Sequence, residues 1–349
     1  MTHAFARPVA AGLATLTVAF GLGVSAAAAQ TVNIYSYRQP DLIKPVLDAF
    51  TQETGIKTEV LFLDKGLEER IAAEGVNSPA DVILTVDIAR LQKTVDAGVT
   101  QPLDDATVNA NIPAEYRDPA GNWFGLTKRA RVVYASAERV GDEPITYESL
   151  ADPKWKGKIC IRSGQHDYNL ALISAAIAHW GEAKAEEWVK GLKANLARKP
   201  DGGDRDQAKA IAAGECDIAL GNTYYVGLMM TNEKDPEQKD WAKAIKVVFP
   251  TFENGGTHVN VSGAALAKNA PNRDNAVKLI QFLSSGKAQQ VYAEQVFEYP
   301  VDPAHGPSDI VAGFGKLTAD TLPLAEIAKH RKTASEIVDR VGLDDGPSS

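Results

Sequence analysis

Short apolar runs alternate with amphipathic stretches from residue 32 to residue 97. Residues 32–35, 57–63 and 82–84 are brief apolar or β-branched runs, the pattern of buried strands. Between them, residues 41–54 set Leu42, Val46, Leu47 and Phe50 on one helical face, and residues 67–74 and 88–97 also read as helices. Gly98 stops the last of these helices, and Asp87 stands where it would cap the start. Strand–helix–strand alternation of this kind predicts a largely parallel sheet covered on both faces.

A second unit of the same kind begins near residue 158. Residues 158–161 and 217–220 read as strands, and 168–179, 182–195 and 206–213 as helices. Asp204 reads as the N-cap of the last helix and Gly214 as its stop. Two extended stretches without turn signals, 128–135 and 258–267, read as strands crossing between lobes. Helices at 272–284, 287–295 and 324–341 close the chain, and 346–349 reads as a disordered tail. The expected fold is α/β, with two Rossmann-like lobes joined by two crossing strands. The lobes are expected at 31–128 plus 259–300 and at 129–258 plus 301–349.

Composition supports this picture. The chain has 349 residues, 44% hydrophobic and 23% charged, which excludes a disordered or collagenous chain. At roughly 150 residues per domain the length suits two domains. The net charge of −8 argues against a general binder of nucleic acid or anionic membrane.

The first 29 residues read as an export signal rather than as part of the fold. His3 and Arg7 make a weakly basic start, residues 9–24 are apolar, and four alanines at 26–29 precede Gln30. That is the order of a signal peptide with an A-x-A cleavage site. The apolar run is short of the about 20 residues a membrane span needs. The mature protein is therefore expected in a bacterial periplasm, without stable membrane insertion. Cys160 lies in the expected strand 158–161 and Cys216 just precedes the expected strand 217–220, its neighbour. A disulfide and two buried thiols are both open there.

Ligands of open α/β sheets sit beyond the carboxyl ends of the strands. The loops after three expected strands hold Tyr37, Tyr168, Tyr224 and Tyr225, four of the chain's ten tyrosines. A lone tyrosine in such a place is ordinarily a packed aromatic. Four on converging loops point to a shared site. Ionising a phenol of ordinary pKa near 10 at pH 7 costs about 4 kcal/mol, and several phenolates repel one another. A small, highly charged cation offsets that, and Fe(III) fits best, because zinc and copper favour His or Cys and calcium favours carboxylates. Arg129 would stabilise the anionic site or hold a supplementary anion, with an interlobe salt bridge as its competing role.

Four stretches resemble the periplasmic ferric-ion-binding proteins of bacterial ABC importers. They are Y-S-Y-R-Q-P at 35–40, S-P-A-D-V-I-L-T-V-D at 78–87, W-F-G-L-T-K-R-A-R-V at 123–132 and G-N-T-Y-Y at 221–225. The resemblance runs from Val32 to near the C-terminus and implies the type II periplasmic-binding fold. It implies Fe(III) held by Tyr168, Tyr224 and Tyr225 and delivered to an ABC-type permease of the inner membrane. Many members add a His or Tyr from the first loop of the other lobe. That loop has no histidine here, which leaves Tyr37 as the fourth candidate ligand. In some members a bound anion, often carbonate, accompanies the metal, and Thr127 and Arg129 would be its contacts. A clamp of this kind needs no second subunit, so a monomer is expected.

Two other readings stand beside this one. Arg38, Arg129 and Arg162 would suit a small carboxylate or phosphonate. An exported enzyme on the same fold is the third, but H-E-x-x-H, G-x-S-x-G and Walker spacings are all missing from the sequence. Asp64, Glu68, Glu69 and Glu74 read as a solvated helix face.

Overall fold

The structure is a computed structural model that describes residues 1–4 and 30–347. The export signal therefore lies, beyond its first four positions, outside the described residues, as do the last two positions of the tail.

The first lobe opens with β1 (Thr31–Ser36), α1 (Pro40–Thr54), β2 (Lys57–Phe62), α2 (Leu67–Glu74), β3 (Val82–Thr85) and α3 (Ile88–Asp96). Then come β4 (Thr100–Gln101), α4 (Ala106–Asn111) and the long β5 (Phe124–Ser136). The second lobe contributes β6 (Ile159–Cys160), α5 (Asp167–Trp180), α6 (Glu182–Ala194), α7 (Asp204–Ala212) and β7 (Ile218–Asn222). It continues through α8 (Thr223–Met230), α9 (Glu237–Lys243) and β8 (Ile245–Val248). The return strand β9 (Val259–Ala267) leads to α10 (Arg273–Ser284), α11 (Gly286–Val291), a π-helical turn at Tyr292–Val296 and β10 (Tyr299–Pro300). The chain ends on α12 (Asp309–Ala312), α13 (Leu324–Lys329) and α14 (Arg331–Val341).

The strand order is β2-β1-β3-β9-β5-β7-β6, with β4, β8 and β10 added at the sides. Within each lobe the expected parallel pairing holds, for β1 with β2 and β3 and for β6 with β7. The sheet as a whole is mixed, which corrects the expectation of a largely parallel one. β9 runs antiparallel to β3 and β5, and β5 antiparallel to β7 and β8, because these strands carry the chain from one lobe to the other and back. β5 pairs with β9 up to Ala130 and with β7 from Arg131. One strand therefore belongs to both halves, and its buried face passes through the junction between them.

Apolar side chains on the two faces of each half-sheet meet the flanking helices. Ile34, Val82 and Leu266 pack with Phe50 of α1 and Leu279 of α10. Val133, Ile159 and Ile218 pack with Ile173 of α5 and Trp188 of α6. Cys160 and Cys216 form a disulfide, with Cα atoms 5.9 Å apart at neighbouring strands. The helix expected at 324–341 is broken at His330, which ends α13 and starts α14. Asp87 does cap α3, accepting from the Ala89 and Arg90 amides. Asp204 is not the cap of α7. That place falls to Gly203, and Asp204 lies inside the first turn with its carboxylate turned to Arg131 and Arg162.

Candidate metal centre

The G-N-T-Y-Y stretch forms the end of β7 and the start of α8. A Cβ on Gly221 would lie 2.1 Å from the Tyr134 ring, so only glycine lets that ring lie against the backbone. The Tyr134 hydroxyl then donates to the Asn222 carbonyl at 2.5 Å. This fixes where α8 begins and puts Tyr224 and Tyr225 in its first turn, their rings 4.2 Å apart. Tyr168 sits in the first turn of α5, where the His166 ring accepts from its amide at 3.2 Å. The Tyr168 and Tyr224 hydroxyl oxygens are 3.1 Å apart. All three tyrosines thus stand at helix N-termini, where the backbone dipole favours negative charge. Among the described residues no group of three or more His, Cys, Asp or Glu could hold a metal ion.

Guanidinium groups surround these rings. Arg38 lies 5.5 Å from the Tyr224 centroid, Arg205 5.3 Å from that of Tyr225, and Arg129 and Arg162 each 5.2 Å from that of Tyr168. Several of these charges are balanced by buried carboxylates. Glu298 pairs with Arg38 at 2.8 Å, and Asp204 with Arg131 at 2.7 Å and Arg162 at 3.2 Å. Arg129 is different. It is buried, bonds to the Val86 carbonyl and the Ser262 hydroxyl, and makes no salt bridge among the described residues. Its Nε has no partner there either. The buried Asp87 carboxylate, held by Asn260 and the first amides of α3, acts on it electrostatically but not through a direct ion pair. Arg129 also lines a small cavity with Arg131, Tyr168, Asn222, His258 and Asn260.

Burial pushes the Tyr224 phenol well above its ordinary range, and charge on Tyr168 and Tyr225 would push it further, while Arg38 and Arg129 pull it back. Tyr225 is raised as well, by burial first and then by Tyr168. Without a metal these phenols are protonated at neutral pH. Burial pushes the His166 and His258 imidazoles down to about 3, so both rings are neutral there. Burial alone would raise the Asp204 carboxyl, but Arg131 and Arg162 hold it below the usual range.

The structure brings Tyr168, Tyr224 and Tyr225 together and sets Tyr37 apart from them. The Tyr37 hydroxyl donates to Glu68 and accepts from the Leu67 amide at 2.9 Å, and the Arg90 guanidinium covers its ring at 3.8 Å. Glu68 is consequently buried rather than part of a solvated face, with Tyr37 and Lys93 as its partners. Thr127 is buried on β5 and donates to Glu298. Sequence reasoning missed Arg131, Arg205, Glu298 and the true role of Asp204. For Arg131 a signal existed, since residues 129 and 131 of a strand face the same side. Glu298 follows Phe297, whose φ of 60° is left-handed and whose ring occupies the space a Cβ on Gly227 of α8 would need. Nothing local in the sequence marks that contact.

Residues 77–312 match the bacterial extracellular solute-binding proteins. The chain is 43% identical to iron uptake protein A1 of Synechocystis over 90% of its own length and 87% of that protein. The apo ferric ion-binding protein A of Pasteurella haemolytica is 51% identical and superimposes with a TM-score of 0.87 over 91% of this chain and 99% of the other. A Trichodesmium protein (IdiA, FutA) solved with iron and citrate is 42% identical, with a TM-score of 0.83 over 90% of this chain and 99% of the other. The chain belongs to the bacterial extracellular solute-binding proteins, among members named for ferric iron and iron uptake.

Proposed function

We propose that this protein binds Fe(III) in the periplasm through the phenolates of Tyr168, Tyr224 and Tyr225 and delivers it to an ABC-type permease of the inner membrane. The observation that carries the reading is the convergence of three tyrosines beside Arg129, a buried cation that makes no direct ion pair with a carboxylate among the described residues. Three phenolates balance the charge of one ferric ion. The positive charge of Arg129 is then left for a small anion, such as carbonate, beside the metal. The names of the relatives point the same way. Tyr37 stays outside the ligand set while its hydroxyl is bound to Glu68. Iron docks on the second lobe, and the lobes close about the crossing strands β5 and β9. The closed form presents the docking surface to the permease. Release follows reopening, and reduction to Fe(II) would assist it, because hard phenolate oxygens favour the ferric ion.

The test is Tyr225→Phe, which keeps the ring and removes the oxygen. Iron affinity, measured by competition with a chelator of known strength, should fall while the melting temperature changes little. Unchanged affinity would defeat the proposal. Binding of a carboxylate or phosphonate without metal would favour the small-anion reading instead.

A further inference from the structure

Asp167 immediately precedes Tyr168 and is the first residue of α5. Its two carboxylate oxygens are held by arginines from different parts of the molecule. Oδ2 accepts from Arg90 of α3 at 2.6 Å, and Oδ1 accepts from Arg331 at the start of α14. α14 packs on α5 and α6, so the Arg331–Asp167 bond joins two elements of the second lobe, while α13 just before it packs on both α3 and α5. Arg90 belongs to the first lobe. Asp87 caps its helix, its Nη2 donates to the Asp64 carbonyl at 3.2 Å, and its guanidinium lies 3.8 Å over the Tyr37 ring. The Arg90–Asp167 bond is therefore an ion pair across the cleft, one residue from a proposed iron ligand. The Asp167 side chain is only 9% exposed and that of Arg90 21%, so solvent screens the pair weakly.

We infer that Arg90 and Asp167 act as positioning residues, tying the α5 turn that carries Tyr168 to the opposite lobe and slowing iron release. The inference rests on the proposed role of Tyr168. Lobe opening must break the Arg90–Asp167 bond, whereas the Arg331–Asp167 bond travels with the second lobe. Removing Arg90 leaves Asp167 paired with Arg331, so the buried carboxylate keeps a counter-charge and the fold is retained.

The experiment compares Arg90→Ala, Arg331→Ala and Arg90→Lys with the unaltered protein. Iron-loaded samples are mixed with excess EDTA and the decay of the visible band is followed. Truncating one member of a buried charge pair acts mainly on dissociation, so Arg90→Ala should release iron about tenfold faster with an unshifted band. Arg331→Ala should stay near the unaltered rate, and Arg90→Lys should recover most of the loss. In the metal-free protein, small-angle scattering should give Arg90→Ala a larger radius of gyration than Arg331→Ala. Equal release rates for Arg90→Ala and the unaltered protein would overturn the inference, as would equal effects of the two alanine variants. Absence of a visible band in the unaltered protein would overturn the tyrosine site, and the scattering comparison would still decide whether Arg90 joins the lobes.

Discussion

The Tyr168 and Tyr224 hydroxyl oxygens lie 3.1 Å apart, although 56 positions separate the residues in the chain. Two phenols at that distance share a hydrogen bond while protonated. Two phenolates there would repel strongly, and a trivalent cation between them reverses the sign of the interaction.

Loss of a single hydroxyl from this pair should be felt by the metal and hardly by the fold. Tyr168 is half-buried and its ring remains in Tyr168→Phe. Ferric affinity should drop at least about a hundredfold, more than the 10–100-fold typical of outer-shell partners. Chelator competition measures it, and a melting curve checks that the fold is intact.

Iron binding should release protons. Tyr224 and Tyr225 are held protonated by burial, so each phenolate formed on the metal sheds one proton. Lower pH opposes that step, and apparent affinity should fall about tenfold per pH unit for each proton released. Calorimetry in buffers of different ionisation enthalpy counts the protons. A count of zero would exclude phenolate ligation.

Much of this arrangement was legible in the chain, and the unread part has a common physical cause. Local signals located α2 at its observed bounds and the Asp87 cap of α3. The twin tyrosines and Tyr168 were readable because they follow strands of an α/β pattern. What escaped depends on contacts between distant segments. Glu298 reaches Arg38 and Thr127 from far along the chain, and Asp204 leaves its expected capping role because Arg131 and Arg162 attract it more strongly. The same competition drew Glu68 inward to Tyr37.

Tyr37 offers a contrasting variant. Its hydroxyl serves Glu68, so Tyr37→Phe should leave iron affinity and the visible band unchanged. It should lower stability by about 1–3 kcal/mol, because the buried Glu68 keeps only Lys93 and the buried Leu67 amide loses its acceptor. Denaturant titration of the metal-free protein reads this, and a shifted band would instead make Tyr37 a ligand.

Asp204 should behave as a structural charge. Asp204→Asn leaves Arg131 and Arg162 without their counter-charge, at about 3–5 kcal/mol of stability. The folded carboxyl titrates below the ordinary value, so its contribution is present above about pH 4 and is lost as pH falls through the lower folded value. Denaturation measured at pH 7 and at successively lower pH should therefore show the gap between the variant and the unaltered protein begin to narrow below about pH 4 and close only below the folded value.

The most direct test is a ferric titration of the metal-stripped protein with visible absorption recorded throughout. Phenolate-to-iron charge transfer predicts an orange to red band that saturates at one iron per chain and is absent with zinc or calcium. Iron uptake without that band, or no uptake at all, would contradict the tyrosinate site.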